Sequence, residues 1–235
     1  GINKLKIMKN LTLIIPAKNE SESLPIVLNE LKNLDCKILV SLKNDDISTI
    51  ESIKNHNVKI HFQSKSGYGN SLIEAILNCD TELFCIFNAD GSFDQKDLDQ
   101  MRTMCNEHQF IFASRYLKNA GSDDDTLVTY VGNKIFSLMG KILFGLNLND
   151  ILYTYVMGKT DYFNKLNIKS DDFRFCVEFP IKMKISSMSY TSIPSYEKKR
   201  LGGKKKVNAF KDGLLILSEM IKLFINYKIL RNSKI

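Results

Sequence analysis

Apolar runs at residues 11–15, 37–42, 58–62, 83–87 and 110–113 alternate with amphipathic stretches at residues 22–34, 46–54, 68–77 and 96–105. Runs this short, rich in Leu, Ile, Val and Phe and bounded by turn formers, read as strands buried on both faces. The stretches between them carry apolar residues at helical spacing, as Leu24, Val27, Leu28, Leu31 and Leu34 do. This βαβα order predicts an α/β fold with a mainly parallel, twisted sheet flanked by helices. Right-handed crossovers then bring every strand-to-helix loop to one edge, where open sheets of this kind bind ligands. After Arg115 the order changes to a long helix over residues 129–144, a strand around 151–157 and a further segment at 173–184. No repeat, low-complexity tract or Pro/Gly linker cuts the chain, and 235 residues with 44% hydrophobic content suffice for one sizeable core.

Four loops fall on that edge. The fourth run ends in Asn88-Ala89-Asp90-Gly91-Ser92, where an aspartate can hold a hard divalent cation; a plain Asx or Gly turn uses the same residues. The first run ends in Pro16-Ala17-Lys18-Asn19-Glu20. In Lys43-Asn44-Asp45-Asp46, Asp45 or Asp46 can accept hydrogen bonds from a ligand, or Asp46 simply caps the next helix. Ser64-Lys65-Ser66-Gly67-Tyr68-Gly69-Asn70 offers two glycines that let the backbone approach a ligand and open a helix whose N-terminus favours phosphate, with an ordinary helix-start turn as the alternative.

Charge is unevenly distributed. From Glu197 onward there are eleven Lys or Arg against three acids, while the rest of the chain carries 22 basic and 23 acidic residues. Such a tail suits a phosphorylated substrate, an anionic membrane surface or a solvated face. Nucleic acid is not expected, because no recognised signature and no interleaving of aromatics accompanies the basic run. Five cysteines without a C-x-x-C pair argue against a disulfide framework or a zinc site and for buried thiols in a reducing cytosol. No secretory signal and no charge-free span is visible, so the expectation is a cytoplasmic protein, peripheral at the cytoplasmic face of the membrane. Residues 207–235 form an amphipathic, basic helix and tail with Phe210, Leu214, Leu217, Ile221 and Phe224 on one face. That face packs on its own domain, on the partner of a homodimer or on a bilayer.

The order of these motifs resembles the family 2 glycosyltransferases of GT-A fold over about Leu11 to Tyr227. The branch it resembles most is that of the dolichol- or polyprenyl-phosphate sugar transferases, such as dolichol-phosphate mannose synthase. Residues 11–20 are similar to I-I-P-A-x-N-E, and Asn88-Ala89-Asp90 to the metal motif D-x-D, with Asn88 in place of its first acid. The resemblance implies a catalytic domain over residues 1–206 and a nucleotide-diphosphate sugar, UDP- or GDP-linked, bound by Pro16, Ala17, Asn19, Glu20, Asp45, Asp46, Gly67, Gly69, Asn88 and Ala89. It implies Mg²⁺ or Mn²⁺ on Asp90, with Ser92 as a weaker ligand, and transfer with inversion to polyprenyl phosphate or a related lipid-linked acceptor.

Further matches supply the rest of the implied machinery. Ser114-Arg115-Tyr116 is similar to S-R-Y, whose arginine serves phosphate. Asp150 matches an acid before the T-x-x-F/Y segment, and Glu178 the F-x-x-E helix; either would orient hydroxyls or act as base, or form an ordinary ion pair. Tyr196-Glu-Lys-Lys-Arg200-Leu-Gly202-Gly203-Lys204-Lys205-Lys206 is similar to the R-x-G-G-x-S-K loop that closes over substrate, which gives Arg200, Gly202, Gly203, Lys204 and Lys206 a phosphate or acceptor role. The competing readings are transfer to a sugar hydroxyl of a surface glycan, a nucleotidyltransferase, and a non-catalytic nucleotide-sugar-binding module.

Overall fold

The computed structural model describes residues 6–202 and 208–231. The first half alternates as the apolar runs require: β1 (Lys6–Pro16), α1 (Leu24–Leu31), β2 (Leu34–Leu42), α2 (Ile47–Ile53), β3 (Lys59–Phe62), α3 (Tyr68–Leu77), β4 (Leu83–Ile86), α4 (Asp97–Met104) and β5 (Phe110–Ser114). Then come β6 (Gly121–Ser122), α5 (Leu127–Phe144), β7 (Val156–Lys159), α6 (Thr160–Lys165), α7 (Phe175–Ile185), β8 (Tyr190–Pro194), β9 (Tyr196–Glu197) and α8 (Ala209–Arg231). Seven strands form one sheet in the order β3-β2-β1-β4-β7-β5-β8, and β6 pairs with β9 beside it. Every pairing in the large sheet is parallel except those of β7, which runs antiparallel between β4 and β5.

Alternation in the strands divides the core. Leu11, Leu13 and Ile15 of β1 face the side covered by α1, α2 and α4, whereas Ile14 with Phe84 and Ile86 of β4 faces α3, α6 and α7. Both faces are covered, so the central strands read as unbroken apolar runs. Burial of Cys36, Cys105 and Cys176 pushes their thiols up to about 12, and all five cysteines are free.

Two expectations shift. The strand expected around 151–157 begins only at Val156, because residues 150–155 turn beneath the edge of the sheet, where Tyr153 and Tyr155 pack on Phe93 with ring centroids 5.1 and 4.5 Å apart. The last helix is apolar on two sides: Ile216, Met220 and Leu223 are buried against the domain, and Phe210, Leu214 and Ile221 are exposed.

Candidate functional site

The loops at the C-terminal ends of β1 and β2 are tied to one another. Asn19, at φ +54°, donates its backbone N–H to Asp46 Oδ2 (2.7 Å), and Glu20 donates its own to Thr49 Oγ1 (3.0 Å). Asp46 Oδ1 also caps α2 through Thr49 N (3.3 Å), so the capping reading of this residue holds. Asp45 stands exposed on the cavity wall.

The turn after β4 is closed by its own side chains. Asn88 donates its amide N–H to Ser92 Oγ and accepts from Phe93 N (3.3 Å), while Asp90 Oδ1 accepts from Ser92 N (3.0 Å). Gly91 lies at φ +81°, and a Cβ there would meet Leu201 Cδ1 at 2.6 Å. The backbone conformation therefore disfavours a side chain, and Leu201 of the strap above would have to move to admit one. That strap, residues 198–202, is pinned by Lys198 N to Ser92 O and Leu201 N to Asp90 O (both 2.8 Å). It carries Arg200, which donates to Asp124 Oδ2 (2.8 Å) and sets Nη1 3.6 Å from Asp90 Oδ2.

A second arginine forms the floor. Arg115 grips Asp150 with Nε (2.9 Å) and Nη2 (2.8 Å), donates Nη1 to Glu197 (3.1 Å) and stacks over the Tyr153 ring at 4.5 Å. Asp150 has no exposed side-chain surface and also accepts from Arg115 N (2.8 Å) and the Asn133 amide. The resemblance gave Arg115 to phosphate and left Asp150 between hydroxyl binding and an ion pair. The structure commits both to each other: Asp150 does not line the cavity, and Arg115 lines it with its fork already occupied.

Glu178 is likewise turned away. Its carboxylate accepts from Lys169 N (3.0 Å) and Ser170 N (2.6 Å) and pairs with Lys182 (2.6 Å). Burial opposes its charge, but the Lys182 and Ser170 bonds prevail and hold its pKa below the ordinary range. The loop it braces meets the two glycines. A Cβ on Gly67 would lie 2.1 Å from Asp171 O, one on Gly69 2.1 Å from Ser170 O, and Asn70 N donates to Asp171 O (2.9 Å). The start of α3 is thus close-packed against protein backbone on the side of the missing Cβ atoms, while Ser66, Gly67 and Tyr68 line the cavity.

Together these loops enclose a cavity of about 1010 Å³, at the upper end of the roughly 300–1,000 Å³ of small-molecule sites. Of the residues singled out from sequence, Pro16, Ala17, Asn19, Glu20, Asp45, Asp46, Gly67, Asn88, Ala89, Asp90, Ser92, Arg115 and Arg200 line it. Gly69, Asp150, Glu178 and Gly202 do not. Gly203, Lys204, Lys205 and Lys206 lie outside the described residues. Sequence reasoning passed over Asp124, Asp125, Asn133 and Glu197, which also line the cavity. The run Asp123-Asp124-Asp125 ahead of the Thr126 cap of α5 was the available signal.

The donor set bears on metal binding. Among the described residues no group of three or more His, Cys, Asp or Glu is arranged to hold a cation. Asp90 offers one carboxylate oxygen toward Arg200 and Asn88 contributes no charge. One carboxylate fits a divalent ion that arrives with phosphate oxygens as its remaining ligands, and does not fit an all-protein cage.

Residues 12–166 match the family model described as Glycosyl transferase family 2. Among solved structures, a glucosyl-3-phosphoglycerate synthase from Mycobacterium tuberculosis in complex with Mn²⁺, UDP and glucosyl-3-phosphoglycerate is similar with a TM-score of 0.71 at 8% identity, over 92% of this chain and 80% of that one. The same synthase with Mn²⁺ and UDP-glucose gives 0.68 at 9% identity, over 92% and 79%. A mannosyl-3-phosphoglycerate synthase from Rubrobacter xylanophilus gives 0.65 at 13% identity, over 94% and 75%. At such identities the likeness establishes the fold alone. No curated protein matches the chain by sequence.

Proposed function

The chain belongs to glycosyl transferase family 2, and from that premise we propose that it moves a sugar from a nucleotide-diphosphate sugar to an acceptor that presents a phosphate oxygen, polyprenyl phosphate or a close lipid-linked relative. The donor would lie across the strand ends, its nucleoside between the Pro16–Glu20 loop and Asp45, its diphosphate toward Asp90. Mg²⁺ or Mn²⁺, held by Asp90 and the diphosphate, would supply charge neutralisation of the leaving group. Arg200 is already within reach of Asp90 and would exchange that carboxylate for phosphate oxygens as they gain charge. Arg115, held by Asp150 and Glu197, keeps the floor in place. An acceptor oxygen attacks the anomeric carbon as its bond to the diphosphate breaks, and a single displacement inverts the configuration.

One observation carries the choice of acceptor. Asp90 and Asp124 are paired with Arg200, Asp125 accepts from Tyr116 and Thr129, and Glu197 accepts from Arg115 and Ser122. A carboxylate already engaged by donors is poorly placed to take a proton from an incoming hydroxyl. A sugar hydroxyl needs a base; a phosphate acceptor arrives ionised. The 3-phosphoglycerate synthases among the structural neighbours favour a second reading, a soluble phosphorylated acid as acceptor.

UDP- and GDP-sugars screened by thermal shift with Mn²⁺ would identify the donor, since a ligand at a hundred times its dissociation constant adds about 2.7 kcal/mol. Transfer is then measured to a short-chain polyprenyl phosphate in detergent, to 3-phosphoglycerate and to an oligosaccharide. Product on the polyprenyl phosphate supports the proposal, product on 3-phosphoglycerate alone supports the second reading, and product on the oligosaccharide alone overturns both.

A further inference from the structure

We propose that α5 is a lipid-facing helix that sets the mouth of the cavity against an anionic bilayer surface. The inference rests on the lipid-acceptor reading of the same site. On a helix at the surface of a protein in water, the apolar stripe faces inward. In α5 apolar residues lie on both sides: Phe136, Met139, Leu143 and Phe144 pack into the core, and a second set faces outward. Its buried positions include Asn133, Ser137 and Gly140, whereas Leu127, Val128, Val131, Ile135, Leu138 and Ile142 are 46–78% exposed. Steps of three and four residues put most of these on one stripe, about 22 Å long at 1.5 Å per residue. A contiguous apolar patch of this size is rarely left facing water.

The inward polar residues have their own explanation. Asn133 holds Asp150 and accepts from Leu152 N (3.2 Å), and Ser137 Oγ accepts from Ile151 N (3.1 Å), so this side of α5 fixes the turn under Arg115. Among the described residues none covers the outward face. Thr129 and Asn133 line the cavity, so the apolar stripe and the cavity wall are two sides of one helix.

Charge selects the occupant. α5 contains no acid, and Lys141 is exposed along the stripe. Beside it α8, joined through Phe144 to Phe224 and Tyr227, exposes Phe210, Leu214, Ile221 and Ile225 together with Lys211 and Lys228, while Lys222 pairs with Glu219 (3.3 Å). Of the two acids of α8, Glu219 is 4% exposed and half-buried Asp212 lines the cavity. A second copy on this face would meet cations with cations, whereas anionic headgroups complement an apolar stripe flanked by Lys141, Lys211 and Lys228.

The test is flotation of the whole protein with vesicles of phosphatidylcholine alone or with added phosphatidylglycerol. Wild type should float with the anionic vesicles and be released by salt. Leu138→Glu with Ile142→Glu should weaken binding about tenfold or more, and Lys141→Glu less, while the equally exposed Ile47→Glu on α2 changes nothing. Circular dichroism and melting confirm that the variants fold. Equal flotation of wild type and the double variant, or a dimer in light scattering that the double variant dissociates without change in flotation, would overturn the proposal. Transfer to detergent-solubilised polyprenyl phosphate is measured in parallel. If it persists without vesicle binding, the docking surface alone fails; if vesicles bind without any transfer to the lipid phosphate, the acceptor reading alone fails.

Discussion

Two arginines border the cavity with opposite loyalties. Arg115 sits on the floor with an 11% exposed side chain, both prongs of its fork on Asp150 and a further bond to Glu197. Arg200 rides on the strap, 23% exposed, shared between Asp124 and Asp90 and standing off the latter at 3.6 Å. A guanidinium is always charged, so the difference lies in what surrounds it. The first has been enlisted to hold protein together, and the second keeps a bond that a diphosphate can displace. Similarity to a family motif cannot distinguish these uses, because it fixes residue type without partners.

The contrast breaks most sharply in turnover. Arg200→Ala should lower it by about 10² to 10³, the cost of one preorganised donor at a developing charge, with melting changed by no more than a few degrees. Steady-state kinetics beside a melting curve checks both halves; a melting loss equal to that of the floor variant would erase the distinction. Arg115→Ala should act through stability. Removing one partner of a buried pair typically costs about 3–5 kcal/mol, on the order of 10 °C for a chain of this length. Arg115→Lys should recover only part of it, since an ammonium cannot reproduce the two-pronged contact with Asp150.

A smaller effect is expected at the seam between floor and strap. Gly91→Ala forces a left-handed residue and a methyl group into Leu201, a penalty of about 1–2 kcal/mol from the backbone alone. It should raise the donor KM, and adding Leu201→Ala should recover part of the loss. The smallest effect is on pH dependence. Burial disfavours the charge of Asp125, but bonds from Thr129 and Tyr116 and the charge of Arg115 outweigh it and depress its pKa. A depressed carboxylate contributes stability that is complete above its ordinary value of 3.8 and lost as pH falls through the lower folded value. Acid unfolding below that pH should therefore be shallower in Asp125→Asn than in wild type.

Much of this was legible in the sequence where local pattern decides structure. The strands of residues 11–15, 37–42 and 83–87 and the loops behind them follow from apolar runs and turn formers, and those loops supply most of the cavity lining. What was hidden depends on contacts distant in sequence. Nothing near Asp150 announces that it serves Arg115, 35 positions away, or near Gly67 that its missing Cβ makes room for Asp171 O. β7 was misplaced because Tyr153 and Tyr155, good strand formers, are spent on packing against Phe93. The outward stripe of α5 was also beyond reach, since a helix apolar all round gives no sign of which residues the protein leaves exposed.

The account stands on the single charge at Asp90. The direct measurement is the rate of sugar transfer, with the donor found by the thermal screen, for wild type, wild type in excess EDTA, Asn88→Ala and Asp90→Ala. EDTA and Asp90→Ala should each reduce the rate to background, while Asn88→Ala, which loosens the turn without removing charge, should lose about tenfold. Full activity of Asp90→Ala at saturating Mg²⁺ would contradict the assignment of this turn to the metal and the departing diphosphate.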